Sequence, residues 1–319
     1  MKLKVIMAVA ITVLIAVLVN EYMPGSHDSH VLRLFNKPSE GKLYCPKCNI
    51  ILLNIDLLRA DYVGLINPSQ DLTPNIDQYF NNAIQFTNAI SASGATYMSA
   101  TATATGTEAM FNSHDFGILS KKKPGGGSWR LLSMIGREGK LLIDRIPTIA
   151  ETLSANGYTT IGINDWIHSG QDVFLDRGFQ EYVQMPLFGS TFAYQVKTAI
   201  SELNNNTKQP FFFYIHSNAL HFNFYFPENY HPKNAGLFEK MKPYTKLEND
   251  TKILRAMEPG VDLDDAWDSY TEQLRYIDRE ILRLFKYIDE SFGSNTIVVL
   301  YSHHGIGSRL HDKLGVGLP

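Results

Sequence analysis

Asn49-Ile50-Ile51-Leu52-Leu53-Asn54-Ile55, followed at once by Asp56-Leu57-Leu58-Arg59-Ala60-Asp61, is the stretch that decides the architecture. An apolar run of strand length without polar alternation is suited to the centre of a sheet covered on both faces. Residues 211–216 (Phe-Phe-Phe-Tyr-Ile-His) and Thr296–Tyr301 (Thr-Ile-Val-Val-Leu-Tyr) repeat the pattern. Residues 84–89 and 158–163 read as further strands. Helical signals lie between them. Thr73 before Pro74 is an N-cap followed by a first-turn proline. Residues 98–105 are rich in small side chains and read as a helix despite their threonines. Residues 147–156 read as a helix stopped by Gly157. Over residues 264–290, Ala266, Tyr270, Leu274, Ile277, Ile281, Leu284, Phe285 and Ile288 fall on one face of a long helix. Strands alternating with helices predict an α/β fold: a mostly parallel central sheet flanked by helices on both faces.

In such sheets ligands bind beyond the carboxyl ends of the strands. The residues just past each strand are therefore informative. Asp56 comes after the first, and Ser91-Ala92-Ser93-Gly94-Ala95-Thr96 comes after residues 84–89 and opens a helix. His221 comes after residues 211–216, and His303-His304-Gly305 after the last strand. A carboxylate, a hydroxyl at a helix start and two adjacent imidazoles can converge on one metal ion from rigid elements far apart in sequence. Each residue also has a plain structural reading. Asp56 could end a strand, Thr96 could cap a helix, His303 and His304 could be exposed in a turn, and His221 could pack on Phe222 and Phe224.

The bulk composition narrows the class. The chain has 319 residues, 44% hydrophobic and 19% charged, enough apolar content for one large α/β domain. A net charge of −3 and no basic excess exclude a nucleic-acid footprint. The N-terminus stands apart. Lys2 and Lys4 precede an apolar run over residues 5–19 that Asn20 and Glu21 close. A basic flank, a short apolar core and no small-x-small cleavage site predict a signal-anchor over residues 1–23, with the basic end inside and the rest exported. Residues 24–48 read as a stalk and 49–319 as the globular domain. The two cysteines, Cys45 and Cys48, are too few for a structural zinc site; in an exported chain they predict a local disulfide. Residues 121–127 (Lys-Lys-Lys-Pro-Gly-Gly-Gly) read as a solvated loop.

Several motifs in register carry a family resemblance. Residues 49–61, then Thr73-Pro74-Asn75-Ile76-Asp77, then Phe86-Thr87-Asn88-Ala89 resemble the opening of sulfatases, enzymes of the alkaline-phosphatase superfamily. Leu175-Asp176-Arg177-Gly178-Phe179 resembles a turn common in that family. Residues 210–227 resemble its strand and Pro-His-x-Pro-Tyr segment, with His221 at the histidine. Residues 295–305 resemble the strand that ends in Ser-Asp-His-Gly. The similarity runs in order from Asn49 to Gly317.

The resemblance implies an alkaline-phosphatase-like domain whose smaller C-terminal subdomain is missing from this chain. It implies a metal held by Asp56, Thr96, His303 and His304, with Thr96, His221 and His311 as catalytic residues. It implies a sulfate or phosphate ester as substrate. The departures shape the chemistry. The residue that becomes formylglycine in sulfatases is Thr96 here, and the arginine of that motif is Ala100. Relatives that transfer phosphoglycerol or phosphoethanolamine use an unmodified threonine. The aspartate of Ser-Asp-His-Gly is His303, and the family's lysine falls on Val316, with Lys313 close by. Calcium needs about six to eight oxygens, so a site with two imidazoles suits zinc or manganese better. Two functional classes remain: a metal-dependent hydrolase or transferase, and a catalytically silent relative with a binding or structural role in the cell envelope.

Overall fold

The computed structural model describes residues 45–94, 96–106, 146–166, 175–186, 190–206, 208–221, 230 and 263–306. The chain divides into two units, Met1–Pro46 and Lys47–Pro319, and every element below belongs to the second. Residues 5–19, 121–127 and 222–229 lie outside the described residues, as do His311, Lys313 and Val316. Among the described residues no helix is long and apolar enough to cross a membrane. Cys45 and Cys48 are disulfide-bonded, as the sequence reading expects.

Five strands form one sheet: β1 (Asn49–Ile55), β2 (Thr159–Asn164), β3 (Glu181–Gln184), β4 (Phe211–Ser217) and β5 (Thr296–Tyr301). Their order is β3-β2-β4-β1-β5, and every pair is parallel. The helices are α1 (Pro74–Tyr79), α2 (Thr96–Thr105), α3 (Ile149–Ala155), α4 (Phe192–Asn206) and α5 (Leu263–Phe292).

Both sheet faces are covered, and strand parity shows how. Ile51, Leu53, Ile55, Phe211, Phe213, Ile215, Ile161 and Ile163 share one core with Val196, Ala199 and Leu203 of α4 and with the apolar stripe of α5. That stripe is the one the spacing predicts: Tyr270, Leu274, Ile277, Ile281, Leu284, Phe285 and Ile288 are all buried. The alternate residues face the other way, where Phe179 stacks on Phe212 and Tyr214, with ring centroids 5.8 and 6.1 Å apart. The Leu175–Phe179 turn docks there against the start of α3. Arg177 pairs with Glu151 at 2.8 Å, and Thr148 and Glu151 form a reciprocal capping box. Gly178 has φ +85, and a Cβ on it would lie 2.2 Å from the Glu151 nitrogen, so this turn requires glycine.

Three expectations need correction. Residues 84–89 form no strand. Ile84 and Phe86 alternate as a strand would, but β1 already carries β4 and β5 on its two edges, and both side chains are exposed. Sequence patterning also missed β3 and α4. β3 has only four residues, half of them exposed, and α4 ends in an Asn-Asn-Asn run that hides its apolar face. Finally, the Thr73 side chain makes no cap bond to the start of α1. Its hydroxyl donates to Asp77 and accepts from the Gly64 backbone N–H.

The cap of α1 comes from α5 instead. Asp278 accepts from the backbone N–H of Ile76 at 2.8 Å and of Asn75 at 3.1 Å, and from the Asn75 side-chain amide at 2.8 Å. Asn75 and a helix 200 residues downstream are thereby locked together, and burial of Asp278 raises its pKa against those stabilising bonds. Asp278→Ala leaves these donors without an acceptor in a buried setting. The expected loss is about 1–3 kcal/mol of unfolding free energy, checked by urea denaturation; an unchanged midpoint would remove Asp278 as the cap.

Candidate metal centre

The parallel registers set one polar rung across the carboxyl end of the sheet. Asn164 of β2 aligns with His216 of β4, His216 with Asn54 of β1, and Asn54 with Tyr301 of β5. All lie on the side of the sheet that carries Phe212 and Tyr214. Asp56 comes just beyond this rung. Its backbone N–H donates to the Ser217 carbonyl at 2.8 Å. Leu57 then turns with φ +65, a left-handed conformation uncommon for a non-glycine residue. Tyr270 of α5 clamps the turn, donating to the Leu57 carbonyl at 2.9 Å and accepting from the Arg59 N–H at 3.1 Å.

The turn presents a fully buried carboxylate to three side chains. Asp56 Oδ1 is 3.4 Å from His304 Nε2 and 3.6 Å from His303 Nε2. Asp56 Oδ2 is 3.3 Å from the Thr96 hydroxyl, which is 2.9 Å from His304 Nε2. Thr96 is the first residue of α2, where the backbone offers free N–H groups and a partial positive charge. Adjacent histidines on a continuing strand would point to opposite faces. Here β5 ends at Tyr301 and the chain turns, so both rings face Asp56, 4.7 Å apart and nearly perpendicular. Two contacts hold that turn: the Ser302 hydroxyl donates to the His304 carbonyl at 2.6 Å, and the Ser91 hydroxyl lies against the His303 carbonyl.

Sequence reasoning missed His216. Ligand atoms of Asp56, His216 and His303 all lie within 4.8 Å of one another. The strand-end rule could have found it, because His216 lies within β4 itself, one residue from its end. His221, which the sequence reading favoured after β4, stacks on Trp166 instead, with ring centroids 5.0 Å apart. It remains near enough for its charge to act on Asp56.

The donor set passes a simple test of fit to a cation. Asp56 Oδ1, His216 Nε2 and His303 Nε2 are buried and have no hydrogen-bond partner among the described residues. Three buried polar atoms without a hydrogen bond, on three strand ends, would be costly unless a cation satisfied them. The tautomer of His304 agrees: Nδ1 faces the Gly305 carbonyl at 2.9 Å, so Nδ1 carries the proton and Nε2 is a lone pair. His303 Nδ1 meets the Asn54 side-chain amide. Turning that amide about its axis would set Oδ1 to accept from a protonated Nδ1 and free Nε2 in the same sense.

Electrostatics favour an ionised carboxylate at Asp56 and a neutral ring at His303. Burial pushes Asp56 upward, but the surrounding His303, His304, His216 and His221 more than offset it and hold it below its ordinary value. Burial drives His303 down to about 3, against the opposing pull of Asp56.

The sulfatase family's sequence profile matches residues 48–315. The chain belongs to the sulfatase family. No curated protein sequence matches it. Among solved structures it is similar to the C-terminal periplasmic domain of EptC from Escherichia coli, with 15% identity and TM-score 0.54, covering 84% of this chain and 67% of that one. A second structure of that domain holds zinc. It is also similar to the lipoteichoic acid synthase LtaP from Listeria monocytogenes, with 14% identity and TM-score 0.53, covering 83% of this chain and 58% of that one. A third is BT4656 in complex with D-glucosamine-2-N,6-O-disulfate, with 18% identity and TM-score 0.54, covering 82% of this chain and 66% of that one. The family's alkaline-phosphatase-like α/β fold is thus the fold of this chain.

The depressed His303 gives a stability signature. The unfolded chain protonates this ring near 6.5 and the folded chain only near 3. Between those values the unfolded state binds more protons, so stability falls as pH falls through that window. In the metal-free protein, the unfolding free energy of His303→Gln is expected to fall less steeply with falling pH, by about 1.4 kcal/mol per pH unit. Parallel pH profiles for the two proteins, measured by urea denaturation, would remove His303 as a buried neutral ring.

Proposed function

We propose that this protein is a metal-dependent enzyme that cleaves or transfers a sulfate or phosphate ester, with Thr96 as nucleophile. The observation that carries the reading is the convergence of Asp56, Thr96, His216, His303 and His304 at the carboxyl end of one sheet, with three buried polar atoms left without a hydrogen bond. Asp56, His303, His304 and His216 would hold one divalent ion, with the Thr96 oxygen beside it. Three imidazoles against a single carboxylate match zinc or manganese in preference to calcium. Such an ion, when bound, would neutralise ester oxygens and lower the pKa of a neighbouring hydroxyl.

The chain's own residues would do the rest. Thr96 Oγ1 has two acceptors for its proton, Asp56 Oδ2 and His304 Nε2. Attack by Oγ1 forms a bond to the phosphorus or sulfur, breaks the ester bond and releases an alcohol that takes up a proton. His221, whose charge would act on Asp56, is proposed to supply that proton, and His311 to bind the transferred group. Threonine has no second hydroxyl to expel the group as formylglycine does, so water or an acceptor hydroxyl must clear the threonine ester. This favours transfer, or hydrolysis of a phosphate ester, over formylglycine-type sulfate hydrolysis.

The proposal extends to placement. Residues 1–23 anchor the chain in a membrane, 24–48 form a stalk and 49–319 form the catalytic domain on the exported face. The basic and apolar N-terminus and the disulfide-bonded cysteines support this. A silent relative is the second reading. Ala100, at the position of the family's arginine, is buried against Leu175 and offers no charge to an anion.

The test uses the full chain in detergent. Dialysed protein is expected to retain zinc or manganese at one equivalent, and metal is lost in His304→Ala. With a panel of phosphodiesters and aryl sulfates, turnover is expected to drop by at least ~100-fold in Thr96→Ala, in line with loss of a covalent nucleophile. Mass spectrometry should find the transferred group on Thr96. Calcium at the site would refute the ligand argument; bound metal without any turnover would favour the silent relative.

A further inference from the structure

We infer that Asp165 is the positioning residue of this centre, holding His216 in the one tautomer that can ligate a metal. The inference rests on the metal-centre reading above, but its structural half can be tested without metal. Asp165 follows β2 directly, at the same carboxyl end of the sheet as Asp56. Its Oδ1 lies 3.3 Å from His216 Nδ1, with the His216 side chain fully buried and that of Asp165 only 14% exposed. Both Asp165 oxygens also accept from the backbone N–H of Asn218, each at 2.9 Å. One carboxylate therefore bridges the ends of β2 and β4 and touches the ring between them.

The donor inventory dictates the consequence. An ionised carboxylate is acceptor-only, so Nδ1 of His216 has to carry the ring proton to satisfy this contact. A neutral ring protonated at Nδ1 leaves Nε2 as a lone pair, and Nε2 is the atom with no partner among the described residues. The backbone is fixed as well: the Gln195 side-chain amide of α4 donates to the His216 carbonyl at 2.7 Å. The ring thus meets Asp165 on one side and His303 on the other, 5.3 Å away between centroids. Carboxylates placed behind ligating histidines act in this way, fixing tautomer and orientation, and their loss weakens metal affinity by about 10- to 100-fold.

A purely structural role is the competing account, since the two bonds to Asn218 alone would justify an aspartate. Asp165→Asn separates the two. An amide of the same size can accept from the Asn218 N–H with its oxygen at the Oδ2 position, and in that orientation its NH2 group faces His216 Nδ1. That arrangement satisfies every partner only if Nδ1 is unprotonated, which moves the proton to Nε2 and blocks the ligating atom. Aspartate-to-asparagine changes behind histidines are known to act through the wrong tautomer.

The experiment uses the full chain in detergent, stripped of metal, with histidines labelled with nitrogen-15. Long-range proton–nitrogen spectra report the His216 tautomer, assigned by comparison with His216→Gln. Zinc affinity is read by competition with a chromophoric chelator. The wild type is expected to show the Nδ1–H form and Asp165→Asn the Nε2–H form, with zinc affinity lower by about 10- to 100-fold. Asp165→Glu, which keeps a charged acceptor, is expected to retain the wild-type tautomer and serves as well if the asparagine variant fails to fold. The double variant Asp165→Asn/His216→Gln is expected to bind zinc no more weakly than His216→Gln alone. An unchanged tautomer in Asp165→Asn, or an affinity loss that adds to that of His216→Gln, overturns the assignment. Absence of zinc binding in the wild type overturns the metal reading itself, and the tautomer measurement then decides whether Asp165 still governs the His216 ring.

Discussion

A carboxylate with no exposure to water constrains this whole domain. Asp56 is fully buried, and an isolated charge in that position would cost several kcal/mol, a large share of a domain's stability, unless compensated. Compensation here comes from convergence. Thr96, His303 and His304 reach it from two other segments, and His216 stands a rung away. Each needs its own backbone support. Leu57 has to adopt a left-handed turn, and Tyr270 has to hold it. The strand after α5 has to end at Tyr301 so that two neighbouring histidines can face one carboxylate. The long helix α5 therefore serves the site twice: it buries the sheet and it clamps the turn that aims Asp56.

The parallel sheet makes such convergence possible from distant residues. Strands in register put their carboxyl ends on one edge, and their alternation sends every second side chain to the same face. Asn54, His216, Asn164 and Tyr301 form one rung by this rule, drawn from four strands spread over most of the domain. Asp165 and Asp56 follow β2 and β1 beyond it. Helix packing on the opposite face is dominated by apolar side chains, and the polar groups of the site collect where the strands stop and the backbone turns.

Much of this was legible in the sequence, for physical reasons that also explain the misses. Strands β1, β4 and β5 read correctly because near-continuous apolar runs have few other homes. The α5 stripe read correctly because its period persists over many turns. Residues 84–89 misled, since alternation at Ile84 and Phe86 shows only that a strand could form; whether it does depends on a free neighbouring edge. Asp56, Thr96 and His304 could be named from strand ends and from the family resemblance, and they do meet. His216 was passed over because it closes the apolar run 211–216 and reads as part of the strand, whereas candidate ligands were sought only beyond each strand. Thr73 was given a cap that Asp278 supplies, a contact over 200 residues away that no local pattern encodes.

The exchange of an aspartate for His303 has an electrostatic consequence that links ligand choice to substrate charge. With aspartate there, two carboxylates would face a divalent ion and largely cancel its charge. With His303 neutral, because burial holds it so, Asp56 supplies the only formal negative charge in the cluster of Asp56, Thr96, His216, His303 and His304. A divalent ion in that cluster would retain a net positive charge, set in a low-dielectric site where charge acts strongly. Such a centre attracts an anionic ester without help from a cationic side chain, and the position of the family's arginine, Ala100, supplies none. The two departures from the family pattern therefore compensate each other: the chain lacks a positive charge at 100 and also lacks a negative one at 303. On the proposed reading, the charge missing at 100 and the charge missing at 303 therefore belong to one electrostatic balance around the Asp56 carboxylate.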